Sequence, residues 1–452
     1  MSHYDAIILG GGPAGEHCAA RLREGGLTVA IVERELVGGE CSFWACIPSK
    51  TLLRPGEALQ AAREAPGAAE AVDGRGLDAN AAFAWRDFMV SDYDDSGQIS
   101  WADGEGIDVI RGAGRIIGPG RLEVGETVLT ADHIVIATGS DPVSPPIDGL
   151  AELEGAWSNR DVTGLKEVPK RLLVLGGGPV GVEMAQAVAR MGSAVALVEG
   201  MDHLLPREPK PLGDGLGEAL TAEGIELCFG QHASAVRKEN GEFVLEFPER
   251  DELRGDKLLV ATGRRPRVHD IGLENVSIEP GKGGVPVDSR MRAGDGLWAI
   301  GDAAGIWPLT YVGKYQGRIA AANILGEDRE ANYDAVPRVV FTDPQAASVG
   351  EADGKLTVTA SLAEVPRTAT YTRAYADRPG FMTLVSDGER LTGAYALGPE
   401  AGEWLQQATV AIRARVPLDV MEDVIQPFPT FSEVFLHALL ELRAKAPAAA
   451  TT

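Results

Sequence analysis

The sequence predicts an α/β protein that contains two Rossmann-like domains and a C-terminal α+β domain. The first observation behind this prediction is a repeat: YDAIILGGGPAGEHCAARLREGGLTVAIVE, near the N-terminus, resembles RLLVLGGGPVGVEMAQAVARMGSAVALVE in the middle of the chain. In each copy an apolar strand is followed by a glycine-rich turn, a helical pattern and a second strand, as in a βαβ unit of a parallel sheet. The second observation is that GFMTLVSD and RLTGAYALG, which flank the turn Asp387-Gly388, predict an antiparallel hairpin in the C-terminal third.

Each copy of the repeat contains Gly-x-Gly-x-x-Gly, with a glutamate 23 residues after the first glycine. The first glycine permits a tight turn, the second lets the backbone approach a pyrophosphate, and the third brings helix and strand together. The N-terminus of the helix then directs free N–H groups at the phosphates, and the glutamate would accept a hydrogen bond from a ribose hydroxyl. A single glycine pattern also fits an ordinary turn, but two copies in this context favour dinucleotide binding. The predicted sites are Gly10, Gly12, Pro13, Ala14, Gly15 and Glu33 in the first copy, and Gly176, Gly178, Pro179, Val180, Gly181 and Glu199 in the second.

Two such sites in one chain suggest two different nucleotides, and hydride chemistry commonly pairs a nicotinamide with a flavin. We expect the nicotinamide nucleotide at the second site. A carboxylate at Glu199 would repel the 2′-phosphate of NADP, and no arginine follows before Arg207, so NAD is favoured over NADP. Strands that end in Ala-Thr-Gly or Gly-Asp add Ala137, Thr138, Gly139, Gly301 and Asp302 to the first site, and Ala261, Thr262 and Gly263 to the second.

The order of these patterns predicts the domain organisation. A chain of 452 residues is long enough for about three domains of ordinary size. We expect a first nucleotide-binding domain at 1–144, interrupted by the NAD domain at 145–265 and completed at 266–332. An α+β domain at 333–452 follows, and ANYDAVP marks its linker.

The stretch GGECSFWACIPSK, residues 38–50, contains two of the four cysteines. Cys41 and Cys46 could belong to a metal site, a structural disulfide or a redox-active pair. The first is disfavoured because no second Cys or His pair is present, and the second because the cytoplasm is reducing. A helix beginning in residues 41–50 would place the sulfurs about one turn apart and lower the pKa of a thiol at its N-terminus. Lys50 would lie on the same helix face as Cys46, and a buried lysine needs a partner.

Composition and charge exclude several classes of partner. The net charge of −24 argues against nucleic acid and anionic membranes, because both need a basic surface. No run approaches the roughly 20 apolar residues that span a bilayer, and MSHYDAIILGGG leaves no room for a signal peptide. We therefore expect a cytoplasmic protein. Cys18 and Cys228, isolated in apolar stretches, are expected to be buried.

The run Gly-Gly-x-Cys-x4-Cys-x-Pro-Ser-Lys resembles the redox-active disulfide segment of the FAD-dependent pyridine nucleotide-disulfide oxidoreductases. That family includes dihydrolipoamide dehydrogenase, glutathione reductase and mercuric reductase. The resemblance extends over nearly the whole chain: it includes both glycine fingerprints, both Ala-Thr-Gly turns, Gly301-Asp302, and the segment VPRVVFTDPQAASVG…GAYALGPEAGEWLQ, which resembles the family's dimer-interface domain.

The resemblance implies a homodimer with FAD at the first site and NAD at the second. It also implies that Cys41 is the thiol that exchanges with substrate, and that Cys46 is the thiol against the flavin. Lys50 would favour the reduced flavin and would pair with Glu183, which we place in both the catalytic and the NAD site. The remaining predicted FAD contacts are Arg34, Gly39, Glu40, Lys50, Ala113, Leu309, Thr310 and Tyr311.

The chain departs from the family near its C-terminus. Disulfide reductases of the family carry His-x-His-Pro-Thr-x-x-Glu, whose second histidine is the general acid and base for thiol exchange. The corresponding stretch here is QPFPTFSE, so Gln426 and Phe428 replace the histidines while Pro429, Thr430 and Glu433 match. A positioned acid contributes about 10²–10⁴-fold, and phenylalanine cannot provide one. We therefore expect slow turnover of lipoamide or glutathione disulfide, and we keep Glu433 as a candidate catalytic residue.

The aromatic side chains of these segments allow two interpretations. Phe428, Trp44 and Phe43 could form an apolar mouth suited to a flat acceptor such as a quinone, or they could pack the dimer interface. His437, the nearest remaining imidazole, is expected to be an ordinary helix residue.

The sequence therefore leads to three functional hypotheses. The first is an enzyme that passes electrons from NAD(P)H through a flavin and a Cys41–Cys46 disulfide to a small acceptor, as in dihydrolipoamide dehydrogenase. The second is a reductase of quinones or other electron acceptors with little disulfide reductase activity. The third is a non-catalytic flavoprotein subunit. None of the three includes a metal site.

Overall fold

The chain forms two compact units in this computed structural model, and each is described separately. The structure describes residues 2–367 and 380–445, so 368–379 and 446–452 of the predicted C-terminal domain lie outside the described residues. Unit 1 comprises residues 1–49, 84–143 and 263–332, and unit 2 comprises residues 50–83, 144–262 and 333–452.

Residues 50–83, which were expected in the first nucleotide-binding domain, belong to unit 2. The reason is hydrophobic packing, because Leu52, Leu53 and Phe83 are buried in the core of unit 2. The two units do not correspond to the predicted domains, whose bounds stay a prediction.

A mostly parallel sheet carries the first copy of the repeat in unit 1. His3–Leu9 pairs in parallel with Val29–Glu33 on one side and with Thr127–Ile136 on the other. The carboxyl ends of these strands meet at one edge of the sheet, where ligands bind in open α/β folds. The strand order in the described residues is Arg292–Gly294, Leu297–Ala299, Thr127–Ile136, His3–Leu9, Val29–Glu33 and Ile107–Arg111, and the antiparallel pair Gly114–Gly118 and Arg121–Val124 joins Thr127–Ile136.

Two helices of unit 1 pack closely because glycines lie between them. The first fingerprint helix is Pro13–Glu24, and the Thr310 helix is Thr310–Ile324. A β-carbon at Gly313 would lie only 3.1 Å from the β-carbon of Ala14, so a larger residue there would push the two helices slightly apart. The other helices with residues in this unit are Gly39–Phe43, Cys46–Glu64, Ala79–Met89 and Ser96–Glu105, and the 3₁₀ turns are Ser91–Tyr93, Leu273–Val276 and Gly301–Ala304. Strand Ser140–Pro142 also pairs with Arg264–Pro266.

Unit 2 contains the second copy of the repeat and the C-terminal antiparallel sheet. The parallel sheet has the order Glu226–Phe229, Ala194–Glu199, Arg171–Leu175 and Lys257–Val260, and the second fingerprint helix is Pro179–Arg190. The larger antiparallel sheet has the order Arg338–Val340, Gln345–Gly350, Leu391–Gly398, Phe381–Ser386 and Leu356–Ser361. A smaller one contains Ala235–Glu239, Glu242–Glu246 and Leu253–Gly255. The remaining helices of the described part are Ala69–Val72, Asn159–Thr163, Lys210–Ala222, Leu362–Glu364, Ala401–Trp404, Gln406–Ala414, Leu418–Glu422 and Glu433–Lys445.

The hairpin predicted in the C-terminal third is present. Its strands pair in antiparallel register, with Met382 opposite Ala396, and the turn contains Gly388 at a φ of +103°. The alternating residues of this hairpin pack on helix Glu433–Lys445 in one hydrophobic core. No helix in the described part of the chain is long and apolar enough to cross a membrane.

Candidate active site

The two glycine fingerprints have the same backbone geometry, as their sequences predicted. Gly10 and Gly176 have φ values of +114° and +106°, in the left-handed region that favours glycine. A β-carbon at either would meet the carbonyl oxygen of Ala137 at 2.3 Å or of Ala261 at 2.5 Å. Both turns therefore require glycine for two reasons, namely the φ angle and the close approach of a neighbouring strand end.

The second glycine of each fingerprint faces open space. A β-carbon at Gly12 or Gly178 would meet no atom within 4 Å, and each glycine is the extended cap of a helix that begins with proline. The first N–H groups of a helix lack partners within it and carry the positive end of the helix dipole. Each turn therefore presents a concave, electropositive backbone of the kind that binds a pyrophosphate.

The two glutamates at the ends of the repeats are also equivalent. Oε2 of Glu33 accepts a hydrogen bond from the N–H of Gly11, and Oε2 of Glu199 accepts one from Gly177, at 2.7 Å in both cases. Oε1 of each accepts a second N–H two residues further along the chain, at 2.7 and 2.9 Å. Each carboxylate oxygen keeps a further lone pair that could accept a ribose hydroxyl. The contact to the ribose itself stays a prediction.

The two cysteines of the segment 38–50 lie together in unit 1 with free thiols. Cys41 belongs to helix Gly39–Phe43, and Cys46 is the first residue of the dithiol helix, Cys46–Glu64. A single helix through both sulfurs is wrong, because Trp44 has a φ of −135° and interrupts it. The hydroxyl of Thr310 lies 3.4 Å from Sγ of Cys41 and 3.3 Å from Sγ of Cys46.

The expected lowering of thiol pKa is wrong for Cys41. Its pKa is raised because its thiol is hydrogen-bonded to Cys46, because it is buried, and because the neighbouring sulfur repels a second negative charge. The hydroxyl of Thr310 and the ammonium of Lys314 act in the opposite direction and only reduce the rise. In the reduced pair, Cys41 therefore retains its proton.

Lys50 and Glu183 form the ion pair that the resemblance implied. Nζ of Lys50 donates to Oε2 of Glu183 at 2.7 Å, and only 5% of the Glu183 side chain is exposed. The other oxygen of Glu183 accepts the backbone N–H of Phe341 at 3.0 Å. The Phe341 ring also lies 4.7 Å from Nζ of Lys50, in cation–π distance. Two groups of unit 2 thus hold the ammonium of Lys50, whose side chain is 36% exposed.

A polar network surrounds other predicted flavin contacts in unit 1. Asp302 accepts a hydrogen bond from the Ser140 hydroxyl at 2.6 Å. Arg264 donates to the same hydroxyl at 2.8 Å and to the Ser140 carbonyl at 2.6 Å, and its guanidinium lies 3.5 Å from the Glu40 carboxylate. The network therefore links Ser140, which directly follows the Ala-Thr-Gly turn at 137–139, to the Gly301-Asp302 turn.

Every predicted FAD residue except Lys50 lies in unit 1, which brings together the first fingerprint, the cysteines and the start of the Thr310 helix. Leu309 caps that helix, whereas Arg34, Ala113 and Tyr311 are exposed. The predicted NAD residues lie in unit 2, except that Gly263 belongs to unit 1.

The aromatic residues near the cysteines occupy different environments. Phe43 is only 1% exposed, so it is a core residue and cannot line an open mouth. Trp44 is half-buried and stacks on Tyr93 with 6.3 Å between ring centroids. Tyr93 lies in a strained stretch, since Ser91, Asp92 and Tyr93 all have φ values between +50° and +62°.

The C-terminal motif lies at the start of a helix in unit 2. Oε2 of Glu433, the first residue of helix Glu433–Lys445, accepts the N–H of Thr430 at 3.1 Å and so ties the preceding turn to the helix. The Phe428 side chain is 71% exposed, and the half-buried His437 lies in the second turn of the helix.

Residues 4–317 match the sequence model of the pyridine nucleotide-disulphide oxidoreductases, and residues 336–439 match that of their dimerisation domain. The chain belongs to the pyridine nucleotide-disulphide oxidoreductase family. Dihydrolipoyl dehydrogenase of Thermus scotoductus is 34% identical over 99% of this chain and 99% of its own length. Mercuric reductase of Acidithiobacillus ferrooxidans is 34% identical over 94% of this chain and 80% of its own length. The Cu(II) complex of the HOCl-induced flavoprotein disulfide reductase RclA from Escherichia coli has a TM-score of 0.86 and 28% identity, covering 99% of this chain and all of that one.

Membership of the pyridine nucleotide-disulphide oxidoreductase family confirms the predicted fold class and the prediction that the chain is an enzyme. Enzymes of this family are flavoenzymes that typically use FAD and a pyridine nucleotide. The first fingerprint fits FAD, because the space beside Gly12 is open and lies next to free helix N–H groups. Gly39 has a φ of +56°, and its own β-carbon would lie 2.9 Å from Gly12, so a bulkier residue would narrow the same cradle.

Sequence reasoning missed several residues of this site. It proposed Thr310 only as a flavin contact, although its hydroxyl touches both sulfurs. It missed Phe341, which is distant in sequence from Lys50 and carries no motif that points to it. Tyr93 was missed for the same reason. The sequence offered one signal for Thr310, namely its position at the start of a helix after Gly301-Asp302.

Proposed function

We propose that the protein is an NADH-dependent flavoprotein reductase that passes two electrons through the Cys41–Cys46 dithiol to a small acceptor. The observation that carries this proposal is the meeting of both sulfurs at the Thr310 hydroxyl, in the unit that contains the first fingerprint. FAD, when bound, accepts hydride from NADH and exchanges two electrons with a disulfide. Preference for NADH rests on Glu199, whose carboxylate is fixed by two backbone N–H groups and would repel a 2′-phosphate.

In this proposal the two sulfurs have different tasks. Cys41 retains its proton in the reduced pair. We assign it the role of the exchange thiol, which reacts with an acceptor only after it has lost that proton. Thr310 contacts both sulfurs, and its hydroxyl proton, donated to Sγ of Cys41, would stabilise negative charge on that sulfur. Lys50, fixed by Glu183 and Phe341, supplies a positive charge that favours a reduced, anionic flavin.

The choice of acceptor in this proposal rests on Phe428. Reduction of a disulfide releases a thiolate that must be protonated, and we align Phe428 with the family's catalytic histidine, whose proton it cannot supply. Quinones and metal ions do not require an imidazole acid to the same degree. We therefore propose a quinone-type acceptor as the second candidate, and the Cu(II) complex of RclA makes Cu(II) a third compound to assay.

Steady-state rates with NADH and lipoamide, a simple benzoquinone, or Cu(II) test these assignments. We expect the quinone to be reduced faster than lipoamide by at least about tenfold. Lipoamide turnover at roughly hundreds per second, the upper part of the usual enzyme range, would contradict the role given to Phe428.

The variant Phe428→His tests whether the missing acid limits the rate of disulfide reduction. An imidazole at position 428, with Glu433 of the motif retained, should raise the lipoamide rate by about 10-fold or more without changing quinone reduction. Phe428→Leu is the matched control, since it changes the side chain without adding an acid. An unchanged lipoamide rate in folded, FAD-containing Phe428→His would show that the missing acid is not limiting.

The non-catalytic alternative is tested by anaerobic titration with NADH. An active enzyme loses its flavin absorbance and develops a long-wavelength band from a thiolate beside the flavin. A chain that only binds the flavin would show neither change. The cytoplasmic location also stays a proposal, which cell fractionation would test.

A further inference from the structure

The second fingerprint helix carries a row of three buried polar side chains. Glu183, Gln186 and Arg190 follow one another at intervals of three and four residues, so they lie on one face of the helix. Glu183 and Gln186 are 4% and 0% exposed, and the side chain of Arg190 is 11% exposed. Buried polar groups need hydrogen-bond partners, because an unpaired one is destabilising. The partners of this row therefore show what the helix holds in place.

All three side chains bind one short segment that begins at Phe341 and ends at Asp343. Glu183 accepts the backbone N–H of Phe341 at 3.0 Å. The Gln186 amide accepts the N–H of Asp343 at 2.8 Å and donates to its carbonyl at 2.7 Å, as the backbone of a neighbouring strand would. Arg190 donates to the Asp343 carboxylate at 2.8 Å. The helix therefore fixes both the backbone and the carboxylate of this segment.

A second carboxylate, that of Glu223, keeps Gln186 and Arg190 in position. It accepts a hydrogen bond from the Gln186 amide at 2.9 Å and two from the Arg190 guanidinium, at 2.7 and 2.8 Å. Arg190 thus lies between the carboxylates of Glu223 and Asp343, which are also mostly buried. Buried charges persist where they are paired and hydrogen-bonded, so removal of one member should loosen the others.

The segment bears on the proposed function because it carries Phe341. The Phe341 ring lies 4.7 Å from Nζ of Lys50, but the residue is 41% exposed, so burial fixes the ring only in part. Its place over the ammonium depends on the backbone that carries it. Glu183 holds one end of the segment, and Gln186 holds the other end at Asp343. With that second end free, the backbone at Phe341 could turn about the remaining bond and carry the ring off the ammonium.

We propose that Gln186 and Arg190 are positioning residues for flavin reduction, because they hold the segment that places Phe341 over Lys50. The inference rests on the proposed function, in which the charge of Lys50 favours a reduced flavin. Neither residue is assigned a contact with a nucleotide or with the dithiol. They act through Asp343, Phe341 and Lys50 in turn, and all of these residues lie in unit 2. The effect of either residue on the reaction therefore depends on the Phe341 ring.

Acetylation of Lys50 in the FAD-containing protein tests the proposal without turnover. The protein is treated briefly with acetic anhydride at constant pH, and the acetylated Lys50 peptide is quantified by mass spectrometry. Acetic anhydride reacts with the neutral amine, so each contact that stabilises the ammonium slows the reaction. Gln186→Met keeps the length of the side chain but removes the amide. It should accelerate acetylation by about two- to fivefold, which corresponds to the loss of one cation–π contact at a partly exposed site.

A paired substitution tests Arg190 without leaving a charge of the segment unpaired. Arg190→Met combined with Asp343→Asn removes the ion pair between helix and segment but keeps the Gln186 amide. It should accelerate acetylation of Lys50 in the same direction as Gln186→Met, by about twofold or more. A rate equal to that of the wild type would show that Arg190 takes no part in holding the segment.

Two comparisons separate positioning from a general loss of stability. In a Phe341→Leu background, Gln186→Met should change the acetylation rate by less than about 1.5-fold, because the ring through which it acts is gone. Val188→Ala, at a buried position of the same helix, is the matched control. It removes apolar atoms but no bond to the segment, so it should lower the melting temperature and leave acetylation of Lys50 at the wild-type rate.

Flavin reduction should respond in a way that a change in nucleotide binding would not produce. In stopped-flow experiments with NADH, Gln186→Met should lower the limiting rate of flavin reduction by about two- to fivefold. The Kd of NADH should stay within about twofold, because Gln186 is fully buried and lies seven residues beyond Pro179, where the helix begins.

Three results would overturn the proposal. The first is wild-type acetylation of Lys50 in a folded, FAD-containing Gln186→Met protein. The second is an equal effect of this substitution with and without the Phe341 ring, and the third is an equal effect of Val188→Ala. Each leaves the proposed function intact if NADH still reduces the wild-type flavin. A wild-type flavin that NADH does not reduce would instead remove the proposed function itself, whatever the acetylation rates.

Discussion

At the scale of single residues, the two sulfurs differ because their surroundings differ. Cys46 begins a helix, while Cys41 lies in the preceding short helix, buried and hydrogen-bonded to Cys46. Two sulfurs this close cannot both carry a full negative charge at low cost, so one proton stays with the pair. In the proposed function, the reactivity of Cys41 would therefore depend on the groups around it, namely Cys46, which raises its pKa, and Thr310 and Lys314, which lower it.

The hydroxyl of Thr310 should matter more than its size suggests. Thr310→Val keeps the shape but removes the hydrogen bond that lowers the Cys41 pKa. A hydrogen bond to a charged group contributes about 1.5–3 kcal/mol, so we expect Cys41 alkylation at neutral pH to slow by about tenfold. Thr310→Ser retains a hydroxyl and is the control. Equal rates for the valine and serine variants would show that the hydroxyl is not an active part of the site.

Phe341 should affect reduction of the flavin through Lys50. Phe341→Leu removes the ring that lies 4.7 Å from the ammonium but keeps the backbone N–H that binds Glu183. A cation–π contact at such a half-exposed site contributes about 0.5–1 kcal/mol, so stopped-flow reduction by NADH should slow by about three- to fivefold. Phe341→Tyr, which keeps an aromatic face, should match the wild type. A rate in Phe341→Leu equal to that of Phe341→Tyr would contradict a role for the ring.

At the scale of elements, the fingerprints show which features a sequence can predict. The first glycine of each is required by local backbone geometry, a φ near +110° and a strand end within 2.5 Å, so both turns were predictable from spacing alone. The dithiol segment was less predictable, because the break at Trp44 depends on tertiary contacts such as its stacking on Tyr93. The contact between Phe341 and Lys50 joins residues far apart in the sequence, which no local pattern indicates.

The first and second glycines of the second fingerprint, Gly176 and Gly178, should respond differently to substitution by alanine. Gly176→Ala places a β-carbon 2.5 Å from a backbone oxygen at a φ of +106°, so we expect a loss of about 3 kcal/mol or more in unfolding free energy. Gly178→Ala meets no atom within 4 Å, so the fold should remain and only NADH affinity should fall. Thermal unfolding and NADH titration measure the two effects. Equal destabilisation by both substitutions would contradict this distinction.

At the scale of the whole molecule, the match to the family's dimerisation domain over residues 336–439 suggests a homodimer. The large side chains exposed in this region support such an assembly. Val424, Ile425 and Phe428 are 51%, 95% and 71% exposed within five residues of chain. Clustered apolar side chains of this size on one surface mark a contact with another molecule. In a two-fold dimer the same patch would lie on both subunits.

Ile425 offers the sharpest test of this assembly, because its side chain is 95% exposed and contributes little to the fold of its own subunit. An aspartate there would bury an unpaired charge if residue 425 lies in the dimer interface, and a buried charge is costly. We expect sedimentation velocity to show a dimer for the wild type and at least about a tenfold weaker dimer for Ile425→Asp. Met201→Asp, at an apolar position 52% exposed in the chain, is the matched control and should remain dimeric. If Ile425→Asp sediments like the control, residues 424–428 lie outside the interface. Phe428 could then not occupy the position from which the family's histidine acts across the dimer, so the outcome bears on the choice of acceptor as well as on assembly.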